Sequence, residues 1–209
     1  MAFVRCGASR SPALRALIAL CTAALLLMLG SAPSAASEAR LWSALRSEDG
    51  LVVLYRHAIA PGTGDPPGFR LGDCSTQRNL SADGREQARM IGRQLRKERV
   101  PVTAVRSSRW CRALDTARLM AVGVVRPTRA LDSVFTATQS DADRKRLQAE
   151  RIIRAHRDGD GVLVLVGHQV NITDLTSAVP DSGEGIVVRV ADDGRLEVVG
   201  HLPAPSVGG

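Results

Sequence analysis

Two short apolar runs constrain the fold of this 209-residue chain more than any other feature. Leu51 to Tyr55 and Gly161 to Val166 contain no polar or charged side chain apart from the Tyr55 hydroxyl. They are too short for a stable amphipathic helix and lack a helical period. Runs of this kind, rich in valine and bounded by glycine, read as strands buried on both faces. A strand buried on both faces needs cover on each side of its sheet. Both runs also end on a histidine, in Arg56-His57 and Gly167-His168.

Helical segments alternate with these strands. Ser37 to Arg46 presents Leu41, Trp42 and Leu45 on one side. Ser81 is placed to cap a helix to about Glu98, with Ala88, Ile91 and Leu95 inward. Val102 to Val105 predicts a short strand, and Ser107-Ser108 opens a helix through about Ala121. Ser140 is expected to cap a further helix, with Asp141 and Asp143 in its first turn and Ala149, Ile152, Ile153 and His156 facing inward. A short helix over Val170 to Ala178 follows the second apolar run. A hairpin, Ile186 to Ala191 with Arg195 to Gly200, is expected around a two-residue turn at Asp193-Gly194. Strands alternating with helices predict an α/β three-layer sandwich: a mostly parallel central sheet flanked by helices. With no internal repeat or long linker, residues 37–209 read as a single domain, its tail loose from about residue 203. Aromatic content is 3%, so Leu, Val, Ile and Ala must build the core.

The first 36 residues read differently. Arg5, Arg10 and Arg15 precede an apolar stretch from Ala16 to Leu29, and Ser34-Ala35-Ala36 offers a small-residue cleavage site. That order is a secretory signal peptide. The stretch falls short of the ~20 residues of a membrane span, so no stable span is expected after cleavage; an uncleaved anchor is the rival reading. Removal takes three arginines and no acidic residue, which lowers the formal charge from +7 to +4. No dense basic run with interleaved aromatics remains, which argues against nucleic acid. The expected location is periplasmic or secreted. Cys74 and Cys111 stay behind, and in an oxidising compartment the expectation is a disulfide, with two buried free thiols as the alternative.

In open α/β sheets, ligands collect beyond the carboxyl ends of the strands. Arg56-His57 and His168 stand at such ends, and Ser107 leads toward Arg112. Arginine offers a planar fork of donors matched to phosphate oxygens. A neutral imidazole can attack phosphorus, and a second imidazole, protonated, can bind an equatorial oxygen. The set calls for no metal and no cofactor.

These residues carry a resemblance. Leu54-Tyr55-Arg56-His57-Ala58 resembles the Arg-His signature of the histidine phosphatase superfamily, which includes the phosphoglycerate mutases. Ser107 to Ala117, with its Arg112-Ala113-Leu114-Asp115-Thr116-Ala117, resembles the second motif, and Gly167-His168 the third. Asn79-Leu80-Ser81 with Gly84, Gln87 and Ala88 resembles the helix start between the first two. The resemblance implies a phosphoglycerate mutase-like fold, His57 as the nucleophile that becomes phosphohistidine, and Arg56, Arg112 and His168 as its phosphate pocket. The stretch from Gly72 to Ser81 is similar to an exported branch related to lipopolysaccharide core heptose phosphatases, which implies an envelope sugar phosphate as substrate.

The general acid departs from the family. Gln169 follows His168 and cannot protonate a leaving group. Asp132 is the best carboxylate by position and Asp73 the second; a leaving group of low pKa, or solvent, removes the need. Arg78 either reaches the substrate or anchors its loop. Arg109 and Arg118 are assigned to surface charge, Trp110 to packing, His156 to the core and His201 to solvent. The functional expectation is a phosphomonoesterase acting on a small phosphorylated substrate. The alternatives are a phosphohistidine protein phosphatase and a silent phosphoglycan-binding module.

Overall fold

A computed structural model describes residues 35–208. The expected signal peptide, residues 1–36, lies outside the described residues except for Ala35 and Ala36. The chain divides into Met1–Ser37 and Glu38–Gly209, and apart from the helical residues 35–37 everything that follows concerns the second unit. Among the described residues, no helix is long and apolar enough to cross a membrane.

The elements, in chain order, are α1 (Ala35–Ser47), β1 (Leu51–Arg56), α2 (Ala82–Lys97), β2 (Val102–Ser107), α3 (Cys111–Met120), β3 (Val125–Pro127), α4 (Gln139–Arg154), β4 (Val162–Gly167), α5 (Gln169–Thr176), β5 (Gly185–Val190) and β6 (Leu196–Leu202). Short 3₁₀ turns lie at Cys74–Thr76 and Arg129–Leu131. Six strands form one sheet in the order β3-β2-β4-β1-β5-β6. The first four in that order run parallel, while β5 and β6 add antiparallel at the β1 edge.

The apolar runs became the two central strands, and their side chains divide by parity as a pleated strand requires. Leu51, Val53 and Tyr55 of β1, with Val162, Val164 and Val166 of β4, meet Leu41, Trp42 and Leu45 of α1, Ile91 and Leu95 of α2, and Ala113, Ala117 and Met120 of α3. Val52 and Leu54, with Leu163 and Leu165, meet Ala149 and Ile153 of α4 and Ile172 of α5. The result is the expected three layers, phosphoglycerate mutase-like in form.

Glycine sets how closely one layer approaches. A Cβ on Gly92 would lie 1.8 Å from the Met120 carbonyl oxygen, so α2 and α3 touch through bare backbone. A Cβ on Gly84 would lie 1.9 Å from the Ile59 carbonyl oxygen, which seats the first turn of α2 on the segment that follows β1. Ser81 caps that turn as expected, its hydroxyl accepting from the Gly84 amide at 2.9 Å.

Several boundaries differ from expectation. Ser107 ends β2, where it pairs with Val166, and α3 opens only at Cys111. Thr138, not Ser140, caps α4: its hydroxyl accepts from the Asp141 amide at 3.2 Å and donates to the Asp141 carboxylate at 3.1 Å, which fixes the helix start two residues earlier. The β5–β6 turn spans three residues, closed by Ala191 and Arg195, with Gly194 at φ +82°. That longer turn is the type with glycine in the left-handed region. His156 lies just past α4, half-buried, with Nε2 bonded to the Gly161 carbonyl. It therefore serves the turn before β4 and not the core. His201 is exposed and meets Glu184 at 2.8 Å. The Pro205 carbonyl accepts from Gln87, which ties part of the expected loose tail to α2.

Candidate active site

Register brings the site together. β4 lies between β1 and β2, with Arg56 opposite Gly167 and Ser107 opposite Val166. The His57 amide then donates to the Gly167 carbonyl and the Ser108 amide to the Val166 carbonyl. Three parallel strands thus end at one level, delivering His57, His168 and Ser108 to a common point. Arg112 arrives in the first turn of α3. The four residues of the expected phosphate pocket, Arg56, His57, Arg112 and His168, line one cavity of about 310 Å³.

His57 is nearly enclosed, at 3% exposure. Its Nδ1 lies 2.8 Å from the Ala58 carbonyl oxygen. A carbonyl only accepts, so Nδ1 carries the hydrogen and Nε2 keeps its lone pair. Burial, chiefly, pushes the imidazole pKa down to about 3; the Ala58 bond opposes this, and the charges of Arg112, Arg78 and Arg56 add to it. His57 is therefore a neutral ring with a free nitrogen. The segment after it is pinned from two sides. Thr116 accepts from the Ala58 amide at 3.0 Å, and Gln87 accepts from the Ile59 amide at 3.1 Å.

His168 meets His57 edge to face, with ring centroids 5.4 Å apart. Its Nε2 is bonded to the Ser108 hydroxyl at 2.9 Å. Burial, chiefly, holds its pKa well below the ordinary value, helped by the repulsion that protonated His57 would exert and by the charges of Arg112 and Arg78. His168 is thus neutral in the free protein, and the protonated form that could bind an equatorial oxygen is not its resting state. Gln169 and Val170, first in α5, stand on the same cavity wall. The unpaired amides of a helix start favour an anion there.

The arginines are held by part of their donors only. Arg56 Nη1 donates to the Pro180 carbonyl at 2.9 Å. Arg112, 3% exposed, is held by Asp65. Among the described residues, the Nε–H groups of both Arg56 and Arg112 are buried without a hydrogen-bond partner. The start of α3 lacks a side-chain cap of its own. Gln77 supplies one, its Oε1 accepting from the Cys111 amide at 2.9 Å. Cys74 and Cys111 are joined by a disulfide, which fastens the loop before α2 to the residue preceding Arg112.

Asp132 is placed elsewhere. It lies off the cavity, 1% exposed, and its carboxylate accepts from the backbone amide and the guanidinium of Arg109. That occupied, ion-paired carboxylate does not fit the proton-donor role expected of it. The same contact corrects Arg109, which is a partner of a buried acid and not free surface charge. Asp73 is half-buried, capping the Cys74–Thr76 turn and pairing with Arg70. Arg78 lines the cavity, yet its Nε and Nη1 donate to the Gly64 and Ala60 carbonyls, so most of its guanidinium anchors the loop.

The carboxylate that does reach the cavity is Asp65. Burial works against its charge, but the bonds and charge of Arg112, the Arg78 amide and the Trp110 indole outweigh this and hold its pKa below the ordinary value. The sequence held one signal for it: between His57 and Gly72, Asp65 is the only acidic residue. Trp110 also does more than pack. It stacks on Phe69, meets His168 edge-on and donates to Asp65 from its indole nitrogen.

The sequence profile of the histidine phosphatase superfamily (branch 1) matches residues 52–133. That stretch, which carries His57 and Arg112, is similar to this superfamily. Solved structures share the fold of this chain at low identity. The protein histidine phosphatase SixA, complexed with tungstate, is 14% identical over 74% of this chain and 97% of its own, with a TM-score of 0.54. A mycobacterial glucosyl-3-phosphoglycerate phosphatase is 17% identical over 71% and 96%, with a TM-score of 0.51. A phosphoserine phosphatase from Entamoeba histolytica, in complex with 3-phosphoglyceric acid, is 14% identical over 72% and 95%, with a TM-score of 0.55. No curated protein matches the chain.

Proposed function

We propose that the chain is a member of the histidine phosphatase superfamily, a phosphoric monoester hydrolase working through a phosphohistidine on His57. The observation that carries the reading is the state of the His57 ring: neutral, its Nδ1–H fixed by the Ala58 carbonyl and its Nε2 lone pair free on a wall shared with two arginines. In the first step Nε2 attacks phosphorus, and the bond from phosphorus to the leaving oxygen breaks. In the second, water attacks the same phosphorus and the P–N bond breaks, returning neutral His57 and orthophosphate. Arg56 and Arg112 take the phosphoryl oxygens, and the oxygens supply acceptors for the two buried Nε–H groups. With Asp132 engaged by Arg109, the leaving oxygen takes its proton from solvent or leaves as a stable anion.

The finer reading is an exported enzyme acting on an envelope sugar phosphate. Its support is the signal-like order of residues 1–36, the Cys74–Cys111 disulfide and the similarity of Gly72 to Ser81 to the heptose phosphatase branch. A cavity of about 310 Å³ suits a phosphoryl group with a small leaving group.

The test is label transfer. A ³²P-labelled phosphate ester is mixed with enzyme and quenched under alkaline denaturing conditions, because a phosphoramidate is lost in acid. Wild type traps label and His57→Ala does not. Turnover that survives His57→Ala sinks the mechanism, and binding without turnover in the wild type favours the silent phosphoglycan-binding module. A screen of sugar, nucleotide and lipid-linked phosphates and a phosphohistidine protein then ranks substrates, and the N-terminus of the secreted chain tests export.

A further inference from the structure

The guanidinium of Arg112 carries five N–H groups on a rigid plane, and the protein uses them unevenly. Nη1 donates to Asp65 Oδ1 at 2.7 Å and to the Arg78 carbonyl at 3.3 Å. Nη2 donates to Asp65 Oδ2 at 3.2 Å. Asp65 therefore takes the end-on edge of the fork in a bidentate contact. The side edge, Nε–H with the second hydrogen of Nη2, has no acceptor among the described residues.

Asp65 itself is caged. Besides the two Arg112 bonds, Oδ1 accepts from the Arg78 amide at 3.1 Å and Oδ2 from the Trp110 indole at 3.0 Å. Four donors on one carboxylate leave no oxygen free to carry a proton toward a leaving group. A carboxylate that merely blocked the site in the resting protein would be expected to cover every open donor of Arg112, and it leaves the side edge uncovered.

We propose that Asp65 is the positioning residue of the phosphate site, holding the outer edge of Arg112 so that its side edge is kept for a phosphoryl oxygen pair. The inference rests on the phosphatase reading of the same pocket, but it concerns phosphate binding and not turnover. Asp65 stays with Arg112 throughout and touches neither the reacting atoms nor the leaving group. The loop that carries it is fastened through Arg78, whose guanidinium binds the Gly64 and Ala60 carbonyls, and through the Cys74–Cys111 disulfide. The geometry of Arg112 is therefore set from outside its own helix.

The experiment measures orthophosphate binding by calorimetry on the oxidised protein, beside steady-state kinetics with an alkyl and an aryl phosphate. Asp65→Ala, the near-isosteric Asp65→Asn, Arg112→Ala and the Asp65→Ala/Arg112→Ala pair are compared, with Asp65→Glu as the conservative variant. Each single change at Asp65 to Ala or Asn weakens orthophosphate by about 10- to 100-fold, the scale of a charge-assisted hydrogen bond. Asp65→Glu recovers part of it, and the double variant binds no worse than Arg112→Ala, because Asp65 acts through Arg112. KM rises equally for both esters.

Unchanged orthophosphate affinity in Asp65→Ala and Asp65→Asn overturns the proposal. Tighter binding overturns it in favour of a plug. A kcat loss confined to the alkyl ester, with affinity intact, overturns it in favour of a proton donor. Failure of the wider reading is separable: absent label on His57, with orthophosphate still bound and still dependent on Asp65, removes the phosphohistidine mechanism and leaves the role of Asp65 standing.

Discussion

His57 and His168 meet edge to face at 5.4 Å, each at the carboxyl end of one of two neighbouring parallel strands. Both rings are enclosed, and neither can take a proton without placing it beside the other and beside Arg112. The pair thus stays neutral, which a nucleophile needs and which links the site to the acid stability of the fold.

The first prediction concerns that linkage. His57 takes a proton near 6.5 in the unfolded chain and only near 3 when folded. Between those values the unfolded state binds more protons, so stability falls as pH falls from 6.5 toward 3. His168 shifts in the same direction and adds to the effect. Urea midpoints at pH 7, 5.5 and 4 should decline in order, and His57→Gln should flatten the decline. An imidazole resonance of His57 titrating near pH 6.5 in the folded protein would contradict the prediction.

Asp132→Asn separates structure from chemistry. Loss of a general acid typically costs about 10²- to 10⁴-fold in rate. With its carboxylate off the cavity and bonded to Arg109, the Asn variant should keep kcat within about threefold of wild type, well below that penalty. Stability should fall by about 1–2 kcal/mol, a charge-assisted bond discounted for the partly exposed Arg109. A hundredfold fall in kcat with an unchanged urea midpoint would restore Asp132 as the donor.

Reduction of the Cys74–Cys111 bridge frees a closed loop with a sequence separation of 37. Closure of such a loop is typically worth about 2–4 kcal/mol. Cys74→Ser/Cys111→Ser should lose that amount. KM should rise more than kcat falls, because the bridge fixes the segment carrying Asp65 and Arg78 against Arg112 and not the His57 ring. Equal urea midpoints for oxidised and doubly substituted protein would contradict this.

The sequence was informative where one residue type serves one geometric need. The runs ending in His57 and His168 declared the central strands, because burial on both faces leaves no polar position. The order of Arg56, His57, Arg112 and His168 declared the pocket, because parallel strands deliver their carboxyl ends to one side. The proton-donor expectation for Asp132 did not survive contact with Arg109, since position along a chain says nothing of which cation a carboxylate meets. Asp65 stayed hidden for the complementary reason. Its role depends on a loop folded by Arg78 carbonyl contacts and a disulfide, neither of which leaves a periodic trace. Strand β3 was missed because Val125–Pro127 is three residues long at the sheet edge. Its pairing comes from β2 and not from its own pattern.

Two glycines of α2 provide the last test, since both face bare backbone but only one faces the site. Alanine raises helix propensity at either position by up to about 1 kcal/mol. The Cβ nonetheless meets a carbonyl oxygen at 1.9 Å for Gly84 and 1.8 Å for Gly92, so backbone must move and the clash wins. Each Ala variant should lose about 1–3 kcal/mol, the scale of core overpacking. Their activities should part. Gly92 presses on Met120, at the far end of α3 from Arg112. Gly84 presses on Ile59, whose amide is held by Gln87 and whose neighbour Ala58 fixes the His57 Nδ1–H. Assayed at a temperature where both variants are folded, Gly84→Ala should lose at least about tenfold in kcat/KM, the scale of a small misplacement of a catalytic group, while Gly92→Ala stays near wild type. Equal activities in the two variants would mean that the α2 contact does not set the position of His57.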